Sequence, residues 1–241
     1  MESLVFVHGF MGGGAQWNSQ IELFSEHYNV AAPDLTGFGR DHLSVAPDRI
    51  EDYAKNILDE LSRQGVDRFH LVGHSMGGMV VQEMITQAPD RVDTLILYGT
   101  GPIGLLPGRF ETIDESKRRA IKDGPELTSD RIAATWFMDG RKADGFEICE
   151  ALGKHVSLQA VLAGLSAMEM WSGEANLTKI KSRSLVIWGD GDRTYPWSQP
   201  EALWTGIENA NLAVVPGCAH MVHLEKSDIF NSLLLDFLGK G

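Results

Sequence analysis

The chain is 241 residues long, with a formal net charge of −12 and a pI near 5.0. That length suits one large domain carrying an insertion and is short for two ordinary domains. The acidity speaks against nucleic acid or an anionic membrane surface as a partner, because both reward clustered Lys and Arg.

In chain order, residues 4–7 read as a buried strand ending in His8-Gly9, followed by the loop Gly12-Gly13-Gly14 and a helix over 16–27. A second strand at 29–32 stops at Pro33-Asp34, and the loop Leu35-Thr36-Gly37-Phe38-Gly39-Arg40 follows it. A helix over 50–63 carries Ile50, Tyr53, Ala54, Ile57, Leu58 and Leu61 on one face. Phe69, Leu71 and Val72 form the next strand, which breaks at Ser75. Met79, Val80, Val81, Met84 and Ile85 then recur at helical spacing until Ala88-Pro89. Further strands are expected at 92–98, 184–189 and 211–215, with a closing helix over 227–238. Between them, 101–181 shows helical patterning without a clear strand and contains Trp136-Phe137-Met138 and Met168-Glu169-Met170-Trp171. Strands separated by helix-length segments imply parallel crossovers with helices on both faces. The expected architecture is therefore α/β: a doubly wound, mostly parallel sheet from 1–101 and 182–241, with a helical cap inserted over 102–181.

A serine hydroxyl is a weak nucleophile at neutral pH and needs a base within hydrogen-bond reach, itself oriented by an acid. Gly73 and Gly77 flank Ser75 at two residues on either side, where side chains would crowd a sharp strand-to-helix turn. A glycine-bordered serine can also be no more than a helix cap, so its partners decide. In parallel α/β sheets, sites gather at the carboxyl ends of strands. That rule selects Asp190 and Asp192 after Trp188-Gly189, and His220 and His223 after 211–215. Nucleophile, acid and base in that chain order is the order associated with this sheet type. The N–H of Met76 opens the helix after Ser75, where it lacks an intrahelical partner and the helix dipole favours negative charge, so it is a candidate oxyanion donor.

The motifs His8-Gly9-Phe10, Asp34-Leu35-Thr36-Gly37-Phe38-Gly39, Gly73-His74-Ser75-Met76-Gly77-Gly78, Gly189-Asp190-Gly191-Asp192 and Gly217-Cys218-Ala219-His220 resemble those of the α/β-hydrolase fold superfamily. The branch they resemble most is that of the small esterases, lactonases and cofactor-free perhydrolases. The resemblance spans nearly the whole chain outside the cap. It implies Ser75 as nucleophile, Asp192 rather than Asp190 as acid, and His220 rather than His223 as base, with no cofactor and no metal. It also implies the backbone N–H of Phe10 as the second oxyanion donor beside Met76, with Met11 the competitor, and His8 as a structural histidine that fixes their loop. Most members precede the His-Gly strand with an antiparallel hairpin, whereas this chain enters that strand at Leu4. Six parallel strands are expected in consequence, with 29–32 at an edge, in a monomer or in a homodimer formed through that edge.

The cap supplies Leu105, Leu106, Trp136, Phe137, Met138, Met168, Met170 and Trp171. A helical cap buries most such residues within itself; Trp136, Trp171, Phe137 and Met138 are the ones assigned to the substrate. An apolar lining favours an uncharged ester or lactone over a dicarboxylate, a conclusion that Arg109, Arg118, Arg119, Arg131 or Arg141 would invert by pointing inward. The leading expectation is a serine carboxylesterase or lactonase working through an acyl-enzyme on a small-molecule substrate. The same triad would serve carbon–carbon bond hydrolysis or a lyase-like proton abstraction resembling that of menaquinone-pathway relatives. Relatives of the carbon–carbon type often have Asn before the serine, where this chain has His74. A non-catalytic ligand receptor is the remaining reading, and it needs no ordered nucleophile, acid and base.

Other features carry less. Ser75 stands where haloalkane dehalogenases and epoxide hydrolases use aspartate. Gly12-Gly13-Gly14 lacks the Lys and Ser/Thr of a phosphate cradle, and the histidines form no metal-ligand pair at helical spacing. Cys149 and Cys218 are too few for a disulfide framework, and the run at 4–7 is too short for a signal-peptide core. No stretch is long enough to cross a bilayer, and a cytoplasmic protein is expected.

Overall fold

A computed structural model describes residues 1–108 and 111–239. The strands are β1 (Ser3–Val7), β2 (Asn29–Ala31), β3 (Phe69–His74), β4 (Val92–Tyr98), β5 (Arg183–Gly189) and β6 (Ala210–Val215). Among the described residues they form one sheet in the order β2-β1-β3-β4-β5-β6, and every adjacent pair is parallel. Successive side chains alternate between two cores. Val5, Val7, Leu71, Leu95, Leu97 and Val186 enter one; Leu4, Phe6, Val72, Ile96, Leu185 and Ile187 enter the other. Both faces are covered, which is why these strands read as continuous apolar runs.

The helices are α1 (Asn18–Phe24), α2 (Ile50–Arg63), α3 (Met76–Gln87), α4 (Ile113–Ala133), α5 (Phe146–Gly153), α6 (Leu158–Met170), α7 (Ser198–Gly206), α8 (Val222–Glu225) and α9 (Ser227–Leu238). α1 and α9 cover one face through Phe24, Phe230, Leu234 and Phe237, while α2, α3 and α7 cover the other. The sheet is thus doubly wound, as expected. None of these helices is long and apolar enough to cross a membrane.

One helix differs from its sequence pattern. In place of a helix over 16–27, a 3-10 turn at Gly14–Trp17 leads into α1, which stops at Phe24. At the start, the Gly14 N–H donates to Asp34 Oδ1 at 2.7 Å, and a Cβ there would strike the Ala32 carbonyl. At the end, the N–H groups of His27 and Tyr28 both turn back to the Phe24 carbonyl, closing a turn before β2. β2 has three residues and pairs only with β1, and so short an edge strand offers little template for further pairing.

Between β4 and β5 the chain leaves the sheet for α4, α5 and α6. Its two ends meet in a neck: the Gly104 N–H donates to Trp171 O at 3.1 Å and the Gly173 N–H to Pro102 O at 2.8 Å. α4 kinks at Gly124, whose φ of 81° precedes Pro125.

β3 passes into α3 through Ser75, whose backbone lies at φ 55° and ψ −122°. A Cβ at Gly77 would strike the carbonyl oxygens of Val7 and His8, and one at Gly73 would come within 2.6 Å of the Gly77 carbonyl. The first turn of α3 therefore runs directly against the end of β1. Gly77→Ala should lower stability by about 2–3 kcal/mol through overpacking against rigid backbone, measured by urea unfolding.

Beneath this turn lies a cluster of buried histidines. Burial pushes His223 down to about 3, His74 well below its ordinary value, and His8 below it as well. The unfolded chain takes up protons at His74 and His223 near pH 6.5 and the folded chain does not. Stability is then flat above about pH 7 and falls below 6.5, by about 1.4 kcal/mol per pH unit for each histidine. Urea midpoints from pH 8 to pH 5 should show that fall, and His223→Phe should make it shallower. A wild-type midpoint level down to pH 5 would contradict neutral burial.

Candidate active site

Ser75 stands at the end of β3, Asp192 just beyond β5 and His220 beyond β6. The His220 Nδ1–H donates to Asp192 Oδ2 at 2.8 Å, with the two side chains 1% and 0% exposed. Asp192 Oδ1 accepts the N–H groups of Thr194 at 2.7 Å and Tyr195 at 3.1 Å, so both carboxylate oxygens are held. With Nδ1 donating, Nε2 carries the lone pair that a general base needs. Nε2 is buried and has no hydrogen-bond partner among the described residues, and the Ser75 hydroxyl is not bonded to it. The Asp192–His220 hydrogen bond is formed, and none joins His220 to Ser75.

His220 is clamped at both ends of its peptide. Its N–H donates to Trp136 O at 2.9 Å, and its carbonyl accepts from the Tyr98 hydroxyl at 2.8 Å and from His74 Nε2–H at 3.2 Å. Gln16 Nε2 lies 3.5 Å from His74 Nδ1, consistent with a proton on the opposite nitrogen. The Tyr195 ring lies nearly parallel to the imidazole, 11° between planes and 5.6 Å between centroids. Gly99, at φ 52°, leaves room for the ring: a Cβ there would sit 3.2 Å from His220 Nδ1. His223 packs on Trp17 at 4.3 Å and on the Tyr98 hydroxyl. Asp190 is exposed and accepts the Gly217 N–H at 2.7 Å, bracing the turn before His220.

The loop after β1 runs against the serine, since a Cβ on Gly9 would lie 2.9 Å from Ser75 Cβ. His8 Nδ1–H donates to Gly9 O at 2.8 Å, and Nε2 accepts the Leu35 N–H at 2.9 Å. Both ring nitrogens are thereby engaged in holding the loop, and neither is available as a base. The neighbouring turn bonds, Gly12 N–H to Gly9 O and Gly78 N–H to Ser75 O, do not use the N–H groups of Phe10 or Met76. Phe10 borders the same cavity as Ser75; Met11, at φ 55°, is fully buried and does not line it.

That cavity measures about 30 Å³. Phe10, Ser75, Thr194 and Tyr195 form one side; Gly104, Leu106, Ile132, Trp136 and Met168, from the segment between β4 and β5, form the other. A larger open cleft of about 1060 Å³ runs along Asp34, Arg40, Asn56 and Glu60, but none of Ser75, Asp192 and His220 borders it.

Of the four residues assigned to the substrate, Trp136 lines the cavity and the other three do not. Trp171 is turned away, its indole N–H donating to Glu83 Oε1 at 2.9 Å beside the neck. Phe137 is fully buried against Phe146, and Met138 is 41% exposed, its N–H held by Glu225 Oε1 at 2.7 Å. Leu105 and Met170 are also exposed. None of the four described arginines in question lines the cavity: Arg118 and Arg119 pair with Glu115, Arg131 with Glu111, and Arg141 with Asp130. Arg109 lies outside the described residues. Thr194, Tyr195, Ile132 and Gly104 were not singled out by sequence; the first two follow Asp192 directly, so the strand-end rule that selected the acid also reaches them. Among the described residues no group of His, Cys, Asp and Glu side chains could hold a metal ion, and Cys149 and Cys218 are free and buried.

A family model of the alpha/beta hydrolases matches residues 4–233. The chain is 27% identical over 263 residues to the 2-hydroxy-6-oxo-6-phenylhexa-2,4-dienoate hydrolase of Burkholderia cepacia, spanning 100% of this chain and 88% of that protein. Its structure is similar to that of the bromoperoxidase from Bacillus anthracis, with a TM-score of 0.91 at 24% identity over 99% of this chain and 92% of the other. The enol-lactonase from Burkholderia xenovorans LB400 gives a TM-score of 0.89 at 22% identity, over 99% and 91% of the two chains. At these identities the structural likeness bears on the fold. The sequence match runs from β1 into α9, through the glycine-bordered turn and all six strands, and the chain belongs to the alpha/beta hydrolase family.

Proposed function

We propose that this chain is a cytoplasmic serine hydrolase that cleaves a small, mainly apolar carboxylic ester or lactone through an acyl-enzyme. The observation that carries the reading is the His220–Asp192 bond at 2.8 Å, with Nε2 left unpartnered near a cavity that Ser75 borders. Ser75 Oγ attacks the acyl carbon while His220 Nε2 takes the hydroxyl proton, and Asp192 holds the resulting imidazolium. The N–H groups of Phe10 and Met76 receive the oxyanion. Collapse breaks the carbon–oxygen bond, and His220 returns its proton to the departing alkoxide. Water then attacks the acylated Ser75, again losing a proton to Nε2, and the acid is released as Ser75 is reprotonated. With a lactone the alcohol stays tethered to the acyl chain.

Carbon–carbon bond hydrolysis is the second reading, favoured by the name of the Burkholderia cepacia relative. That relative's named substrate is a dienoate, a carboxylate, whereas no charged side chain lines the cavity among the described residues. The apolar lining supports the uncharged ester or lactone.

A panel of chromogenic esters of varied acyl length should be turned over by the wild type, and Ser75→Ala should lose roughly 10,000-fold or more in kcat. A serine-directed organophosphonate should add its mass to the peptide containing Ser75 and leave Ser75→Ala unlabelled. Activity surviving the alanine change, with no label on Ser75, would overturn the acyl-enzyme; labelling without turnover of any ester would shift the reading to carbon–carbon cleavage. Asp192→Asn should lower kcat by roughly 1,000- to 10,000-fold with a much smaller change in KM, because it disturbs the tautomer of His220 rather than the cavity. A change confined to KM would place Asp192 outside the relay.

A further inference from the structure

One residue closes the loop that carries His220 from both sides. The Ala219 N–H donates to Glu225 Oε2 at 2.8 Å, and the Glu225 N–H donates to Met221 O at 2.9 Å, so both chain neighbours of His220 are bonded to Glu225. The second carboxylate oxygen, Oε1, accepts the Met138 N–H at 2.7 Å, and the Cys218 thiol reaches Oε2 at 3.4 Å. Met138 lies in the insertion between β4 and β5, two residues after Trp136, whose carbonyl accepts the His220 N–H at 2.9 Å. The same stretch abuts the acid. Met138 O accepts from Arg193 Nη2 at 3.3 Å, next in the chain to Asp192, and a Cβ on Gly191 would meet Met138 Sδ. Residues 136–138 are thus held between the turn that carries Asp192 and the turn that carries His220.

The Asp192 bond sets the direction of the His220 ring, but no bond runs from His220 Nε2 to Ser75, so the approach of base to nucleophile depends on the backbone at 219–221. We propose that Glu225 is a positioning residue of the hydrolase: it acts through His220, by pinning Ala219, the residue before the base, to the insertion that roofs the cavity. This rests on the reading of Ser75 as the nucleophile and His220 as its base. A carboxylate suits the task because both of its oxygens accept, and its bonds to N–H groups are roughly twice as strong as those of a neutral acceptor. Glutamine has the same shape but a single acceptor oxygen, so it holds one of the two N–H groups and turns its own amide toward the other. A small shift of the base has a large effect, since a displacement of about 1 Å at a reacting group costs roughly 100-fold in rate.

The test compares the wild type, Glu225→Gln and Glu225→Ala on one chromogenic ester. Competent sites are first counted by labelling Ser75 to completion with the organophosphonate, and kcat and KM are then expressed per labelled site. Both variants should lose about 10-fold or more in kcat while KM changes by less than about 3-fold, and the rate constant for labelling should fall in step with kcat, because both reactions need His220 to take the Ser75 proton. A purely structural glutamate would lower the urea midpoint and the number of labelled sites but leave kcat per site unchanged, and that result would overturn the positioning role. A loss confined to KM would overturn it as well. Glu225→Gln at the wild-type kcat, with only Glu225→Ala slow, would mean that the side chain merely fills space. Glu225→Gln carries the comparison alone if the alanine variant does not fold, and the labelling rate decides if Ser75 is labelled without ester turnover. A wild type that neither turns over esters nor labels at Ser75 would overturn the serine-hydrolase reading and this inference with it, whereas an active, labelled wild type beside an unimpaired Glu225→Gln overturns the role of Glu225 alone.

Discussion

At Ser75 the backbone turns through φ 55° and ψ −122°, a conformation that a side chain other than hydrogen rarely adopts. Holding it there costs on the order of 1–3 kcal/mol and requires surroundings that fix every peptide group nearby. The Ser75 N–H is tied to Tyr98 O at 3.0 Å, and its carbonyl takes the Gly78 N–H at 2.9 Å and the Thr100 hydroxyl at 2.8 Å. Net contributions near 1 kcal/mol for each such bond are enough to offset the strain. The glycines around the turn follow from the same constraint. Gly73 and Gly77 allow α3 to meet the end of β1, and Gly9 allows the loop after β1 to reach the serine.

His220 is held by a second set of contacts that reaches from the core into the helical segment above it. The His220 carbonyl is fixed from below by Tyr98 and His74, on adjacent strands, and its N–H is fixed from above by Trp136. Glu225 reinforces the link: one oxygen takes the Met138 N–H at 2.7 Å and the other the Ala219 N–H at 2.8 Å. Movement of the segment that forms the roof of the cavity is thereby coupled to the position of the imidazole. Burying His74 and His223 uncharged makes this anchor rigid near neutral pH and vulnerable in acid.

The strands were legible because both faces of the sheet are buried, so apolar runs such as Leu4 to Val7 carry a strong signal. α2 was legible for the opposite reason, a single apolar face repeated from Ile50 to Leu61. The start of α1 was not, since the need for Gly14 to pass Ala32 depends on a neighbour 18 positions away. At the site, chain order and the strand-end rule brought Ser75, Asp192 and His220 into consideration, and the structure adds the bond between the last two. The roof resisted sequence reading. Leu106, Trp136 and Met168 border the cavity while Phe137, Met138 and Trp171 do not, and nothing in their types or spacing separates the two groups. Which apolar side chain faces a cavity is decided by how the helices of an insertion pack on one another, and that information is spread over the whole segment. Thr194 borders the cavity without a signal in the sequence, because a residue two positions after an acid reads as an ordinary turn residue.

The central claim is that esters pass through a common acyl-enzyme on Ser75. Its most direct test is product partitioning between water and an added nucleophile such as hydroxylamine, for a series of esters sharing one acyl group but differing in leaving alcohol. A common intermediate predicts one product ratio across the whole series, because the alcohol has left before either nucleophile attacks. A ratio that changes with the leaving group would mean that water and hydroxylamine attack the ester directly, and would contradict the account.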